Sequence, residues 1–122
     1  MAELDNLLKE GVAQLNIPLT QITLDRILLY VDYLAHWNQT YNLTAIKDKR
    51  DMIIKHVLDS LSLYPYLQGS RCIDVGTGPG LPGFMLALTL PEIEFVLLKI
   101  NRLKFCFPVK VVDRVGLGNR IL

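Results

Sequence analysis

The chain reads as an α/β domain with an N-terminal helical cap, and three observations predict this. Residues 2–63 carry apolar positions at helical spacing in three successive blocks. Residues 71–90 run from a short β-branched segment, through a turn containing Gly76, Gly78, Gly80 and Gly83, into an apolar helix. Residues 93–98 form a second apolar run of strand length. Strand, glycine turn and helix in that order open the sheet of a nucleotide-binding α/β fold. No repeat and no low-complexity linker interrupts the chain.

The first block, residues 2–14, has Leu4, Leu7, Leu8 and Val12, with Leu15 just beyond, on one face of a short helix. Asn16, Ile17, Pro18 and Leu19 make a connector, and Thr20 is placed to cap the next helix. That helix runs over about residues 21–39. Its stripe is Leu24, Ile27, Leu28, Val31, Leu34 and Ala35, with Trp37 near the end. The segment from Tyr41 to Thr44 breaks it. Asp48 is predicted to cap a third helix, about residues 49–63, turning Met52, Ile53, Val57, Leu58 and Leu61 inward. Pro65, Gln68 and Gly69 close the cap. Residues 72–75 then suit a buried parallel strand, and Pro91 stops the following helix before the strand at residues 93–98. The expected division is a helical cap over 1–69, the start of a ligand-binding sheet domain over 70–98, and a divergent basic tail over 99–122.

With 122 residues the chain has room for one small domain. A hydrophobic fraction of 51% and a mean hydropathy of +0.30 indicate a globular chain able to form a core. The apolar runs are far shorter than a membrane span needs. The first residues, including Glu3 and Asp5, are acidic where a signal peptide would be basic, so a cytoplasmic location is expected. Two cysteines, Cys72 and Cys106, are too few for a disulfide scaffold or a metal cluster, and Cys72 reads as a small core residue. The net charge of +1 conceals an asymmetry. Residues 1–98 hold 7 basic and 11 acidic side chains, whereas residues 99–122 hold 6 basic and a single acid, Asp113.

The glycine turn admits two parses. Gly78, Gly80 and Gly83 fit G-x-G-x-x-G, the dinucleotide pattern. Asp74, Gly76, Gly78 and Gly80 fit D-x-G-x-G-x-G, which resembles the first motif of S-adenosylmethionine-dependent methyltransferases. A pyrophosphate needs backbone N–H donors at the helix start, and Pro79 and Pro82 remove two of them. S-adenosyl-L-methionine carries no phosphate. Its ammonium and sulfonium favour a carboxylate such as Asp74 at the strand end. These points favour the second parse.

Five segments extend the likeness: Trp37-Asn38; Tyr41-Asn42-Leu43-Thr44; His56-Val57-Leu58-Asp59-Ser60; Pro65-Tyr66-Leu67; and the glycine turn from Asp74 to Gly83. In this order and spacing they resemble the bacterial 16S rRNA (guanine-N7) methyltransferases, the glucose-inhibited division protein B family, over about residues 1–98. The resemblance implies a Rossmann-like class I methyltransferase fold, S-adenosyl-L-methionine as the methyl donor, and 16S rRNA or the small ribosomal subunit as partner. It implies a cofactor bed of Asp74, Gly76, Thr77, Gly78, Gly80 and Leu81. Substrate contacts would come from Asn42, Lys47, Arg50, His56 and Asp59. No catalytic side chain and no metal are expected, because guanine N7 is a lone pair with no proton to remove and orientation does most of the work.

Structural alternatives stand beside these roles. Asp74 can cap the glycine turn. His56 and Asp59, three apart, can form an intrahelical pair. Asn42 and Thr44 can satisfy turn amides. Lys47, Lys49, Arg50 and Lys55 can be a solvated helix face as well as a phosphate-binding cluster.

The chain departs from the family after Leu98. Where the family carries an acidic residue able to hold the ribose hydroxyls, this chain has Lys99, which cannot accept those hydrogen bonds. Family members continue for several more strands and helices. A truncated or frame-altered chain is therefore expected, with a sheet incomplete enough to favour self-association. Two functional alternatives remain open at the level of sequence: an NAD(P)-binding oxidoreductase fragment using Lys99 and Arg102, and an inactive truncated chain.

Overall fold

The computed structural model describes residues 2–67, 71–75, 81, 83–90, 92–98 and 120–121. Helix α1 spans Ala2–Gln14 and helix α2 spans Gln21–Tyr41. Both stop at an asparagine in the left-handed region, Asn16 (φ 58°) and Asn42 (φ 49°). Asparagine tolerates that conformation better than residues other than glycine. Thr20 begins α2 as expected: its backbone is extended, and its Oγ1 accepts the Thr23 amide at 3.3 Å.

The third helical stretch departs from the expected single α-helix. It runs as α3 (Lys49–Met52), a π-helical segment (Ile53–Leu58) and α4 (Asp59–Leu61). Met52, Ile53, Val57, Ser60 and Leu61 are the buried residues of this stretch. Asp48 starts the stretch through its carbonyl, which accepts the Met52 amide at 2.9 Å, and its side chain makes no capping bond. Asp48 holds the expected N-cap position without the side-chain bond. A 3₁₀ turn at Tyr64–Tyr66 follows.

Strand β1 (Arg71–Val75), helix α5 (Gly83–Thr89) and strand β2 (Glu94–Leu98) form a parallel strand–helix–strand unit. Arg71 lies opposite Glu94 and Val75 opposite Leu98, and Arg71 Nε donates to Glu94 Oε1 at 2.7 Å. A two-residue strand β3 (Arg120–Ile121) pairs parallel with β2, giving the order β1-β2-β3. The strand expected to be buried on both faces is not: Ile73 of β1 is 61% exposed. Among the described residues nothing pairs with the outer edge of β1, so the apolar period that marks a central strand sits here at a sheet edge.

Every residue of α5 is buried. One face, Phe84, Met85 and Leu88, joins a core with Leu8 and Val12 of α1, Ile27, Tyr30, Val31 and Leu34 of α2, and Met52, Ile53, Val57 and Leu61. The Tyr30 and Phe84 rings stack at 5.1 Å. The other face, Leu86 and Ala87, packs with Leu90, Ile93 and Phe95 against Leu67 and Cys72. A helix apolar all round has to be buried all round, and the cap supplies the side that the sheet does not cover. No helix among the described residues is long and apolar enough to cross a membrane.

Gly11 allows α1 to approach the π-helical segment. A Cβ there would clash with Leu58 Cδ1. We predict that Gly11→Ala lowers stability by about 1 kcal/mol, the overpacking exceeding the gain in helix propensity. The loss should shrink in a Leu58→Ala background. Equal losses in both backgrounds, measured by urea unfolding, would exclude this contact as the cause.

Candidate functional site

Asn38 lies on the apolar stripe of α2 and is 96% buried, its exposure being only 4%. Its side chain reaches the loop that follows the helix. Oδ1 accepts the Thr44 amide at 2.9 Å, and Nδ2 donates to the Ile46 carbonyl at 3.4 Å. Thr44 Oγ1 in turn accepts the Ile46 amide at 3.2 Å and lies 2.7 Å from His56 Nε2. A buried amide on α2 thus braces a loop, and the loop holds a histidine on the π-helical segment.

His56 lines a cavity of about 350 Å³ with Lys55, Asp59, Ser60, Ser62, Leu63 and Leu81. Leu81 precedes α5 by two residues, so the cavity lies between the third helical stretch and the end of the glycine turn. Burial lowers the His56 pKa from its ordinary 6.5, and the negative charge of Asp59 only partly opposes this. The imidazole is therefore neutral at pH 7. The cavity wall combines a neutral ring, a carboxylate, an ammonium and two hydroxyls.

The expected site residues divide into groups. His56, Asp59 and Leu81 come together in this cavity. His56 hydrogen-bonds Thr44 at Nε2, and the Asp59 charge also acts on its ring. Asn42 is exposed and ends α2 through its left-handed backbone, its amide donating to the Asn38 carbonyl at 3.2 Å. Lys47 lines a separate cavity of about 390 Å³ with Ala35, Asn38, Gln39, Asp48 and Lys49. Lys49 is tied to Asp32 at 2.7 Å, and exposed Arg50 stands 3.9 Å from Glu3. Asp74 is the fourth residue of β1, opposite Leu97. Gly76, Thr77, Gly78, Gly80 and Lys99 lie outside the described residues. Asn38 is the residue whose part the sequence reading missed. Its signal was a polar side chain continuing the stripe of Leu24, Ile27, Val31 and Leu34.

A parallel strand–helix–strand unit, with a polar cavity beside the start of its helix, puts the chain in the α/β class. Comparison with protein-family models matches residues 23–121 to the GidB family, described as rRNA small subunit methyltransferase G. Curated proteins bearing the name ribosomal RNA small subunit methyltransferase G are similar throughout. The one from Nitrosococcus oceani is 48% identical over 115 residues, covering 94% of this chain and 54% of that protein. The one from Shewanella frigidimarina is 50% identical over 112 residues, covering 92% and 54%. The one from Neisseria meningitidis is 42% identical over 113 residues, covering 92% and 55%. The chain belongs to the rRNA small subunit methyltransferase G family and spans about half the length of the curated relatives it matches.

Two outcomes are expected here. Asn38→Ala leaves the Thr44 amide and Ile46 carbonyl without their buried partner, and stability should fall by about 1–3 kcal/mol in urea melts. For His56, the folded pKa lies below the unfolded 6.5, so the unfolded chain binds the proton first. Stability is therefore full above about pH 6.5 and declines as pH falls through the folded pKa. Thermal melts of His56→Gln should lack this component. A decline of the same size in the variant would assign it to other groups.

Proposed function

We propose that this chain carries the cofactor-binding and base-facing part of an S-adenosyl-L-methionine-dependent methyltransferase, built on a Rossmann-like sheet and acting on guanine N7 of 16S rRNA. The observation that carries the reading is the cavity that brings His56 and Asp59 next to Leu81, at the end of the glycine turn. β1 and β2 are parallel, so their carboxyl ends share one edge of the sheet, which is where open α/β sheets bind ligands. Asp74 near the end of β1, the turn of Gly76, Thr77, Gly78 and Gly80, and Leu81 would form the cofactor bed. The polar wall and the volume of the adjoining cavity fit a purine base.

Bound at that edge, the cofactor supplies a methyl group already activated by its sulfonium. The protein then has to orient the base, because N7 presents a lone pair and no proton must be removed. Methylation leaves a positive charge on the guanine ring. The Asp59 carboxylate in the cavity wall favours that charge against the Lys55 ammonium of the same wall, and a neutral His56 does not oppose it. Lys47, Arg50 and Lys55 would meet rRNA phosphates, with Asn42 shaping the loop beside them. On this reading residues 1–69 form a cap over the ligand edge, residues 70–98 carry the cofactor turn, and residues 99–122 form the basic tail. The protein works in the cytoplasm on the small ribosomal subunit. Self-association through the open edge of β1, where Ile73 is exposed, completes the proposal.

Calorimetric titration of the chain with S-adenosyl-L-methionine, with NADPH as control, tests the cofactor class. Heat is expected with the first alone, and Gly78→Val should weaken binding at least about tenfold, or 1.4 kcal/mol. Heat with NADPH, or with neither ligand from a chain that melts cooperatively, would reject the proposal.

A further inference from the structure

The hydrogen-bond partners of Thr44 fix more than the place of His56. A threonine hydroxyl has one proton and two lone pairs. One lone pair of Thr44 Oγ1 takes the Ile46 amide at 3.2 Å. A backbone amide cannot accept a hydrogen bond. The remaining partner among the described residues is His56 Nε2 at 2.7 Å, a normal length for a hydroxyl bond. Two arrangements satisfy the pair, Nε2–H donating to the second lone pair or the hydroxyl proton donating to Nε2, and only the second gives that proton an acceptor among the described residues. A neutral ring that accepts at Nε2 carries its proton on Nδ1.

We infer that Thr44, itself held by Asn38, is a positioning residue that locks His56 in the Nδ1–H tautomer, so that the imidazole presents an N–H donor to the base in the cavity. This rests on the reading that the cavity receives the methyl acceptor. Guanine offers acceptors at O6 and N7 on one edge, whereas adenine carries an N6 amino donor where guanine has O6. A fixed donor pairs with O6 and leaves the N7 lone pair free to form the new bond. Against adenine it meets another donor, an unpaired polar contact that rejects the wrong base. The titratable groups that share the cavity with His56 are Lys55 of the π-helical segment and Asp59 of α4. The Asp59 charge acts on the imidazole, and Thr44 is the hydrogen-bond partner at Nε2.

The chain holds two histidines, His36 and His56, so nitrogen-15 imidazole spectra resolve each ring, with exposed His36 as an internal reference. The expected spectrum has His56 protonated on Nδ1 at neutral pH. A hydroxyl that donates to Nε2 favours the neutral ring, so Thr44→Val should raise the His56 pKa and relax the tautomer, while Thr44→Ser retains both. A hydroxyl that accepts from Nε2–H gives the opposite sign. An Nε2–H tautomer in the unaltered chain, or a His56 pKa that stays or falls in Thr44→Val, overturns the inference. The unaltered chain decides the tautomer even where the valine variant fails to fold. Titration with guanosine 5′-monophosphate should move the His56 resonances and adenosine 5′-monophosphate should not. An equal response to both, or none to either, overturns the base discrimination. The tautomer readout needs neither cofactor nor RNA, so its failure is distinct from failure of the methyltransferase reading.

Discussion

Helix α5 is buried on every side, and the rest of the structure depends on that. From Gly83 to Thr89 the helix has no solvent face. A sheet covers one side of such a helix, and the opposite side needs its own layer. The cap supplies it through Tyr30, Ile27 and Leu34 of α2 and through Met52, Val57 and Leu61. Burial of each large side chain contributes roughly 1.5–3 kcal/mol, so this layer is a major part of the driving force for folding. The same packing puts Leu81, just ahead of α5, on the wall of the cavity that His56 and Asp59 also line. The candidate site is a consequence of covering one helix.

Within the cap, a polar chain of contacts turns that rough juxtaposition into a defined wall. Asn38 occupies a core position of α2 yet spends its amide on the loop that follows. The loop then holds His56 through Thr44. The π-helical segment changes the facing of side chains relative to a straight α-helix and brings His56 to the loop while Ile53 and Val57 stay in the core. Widened turns recur at functional sites for this geometric reason.

Much of the cap was legible because its signals are local. Thr20 and the α2 stripe set that helix, and Gly83 to Leu90 ahead of Pro91 set α5. Asp48 took the N-cap position that its residue type suggests, but its carboxylate makes no capping bond. The π-helical turn was hidden because its apolar spacing also occurs in α-helices. The likeness of Asn42 and Thr44 as polar turn residues concealed different jobs, one ending a helix by its backbone and the other holding an imidazole. Asn38 was visible as part of a motif, and its bonds to Thr44 and Ile46 were not.

The sequence by itself determined the α/β class and the family likeness, since periodicity and motif order are properties of short stretches of chain. The tertiary structure decided which polar side chains meet. It joined His56 to Thr44, moved Lys47 into a second cavity and left Ile73 exposed at an edge. Those outcomes depend on how distant segments pack around α5, and no local pattern encodes the distance between two residues on different elements.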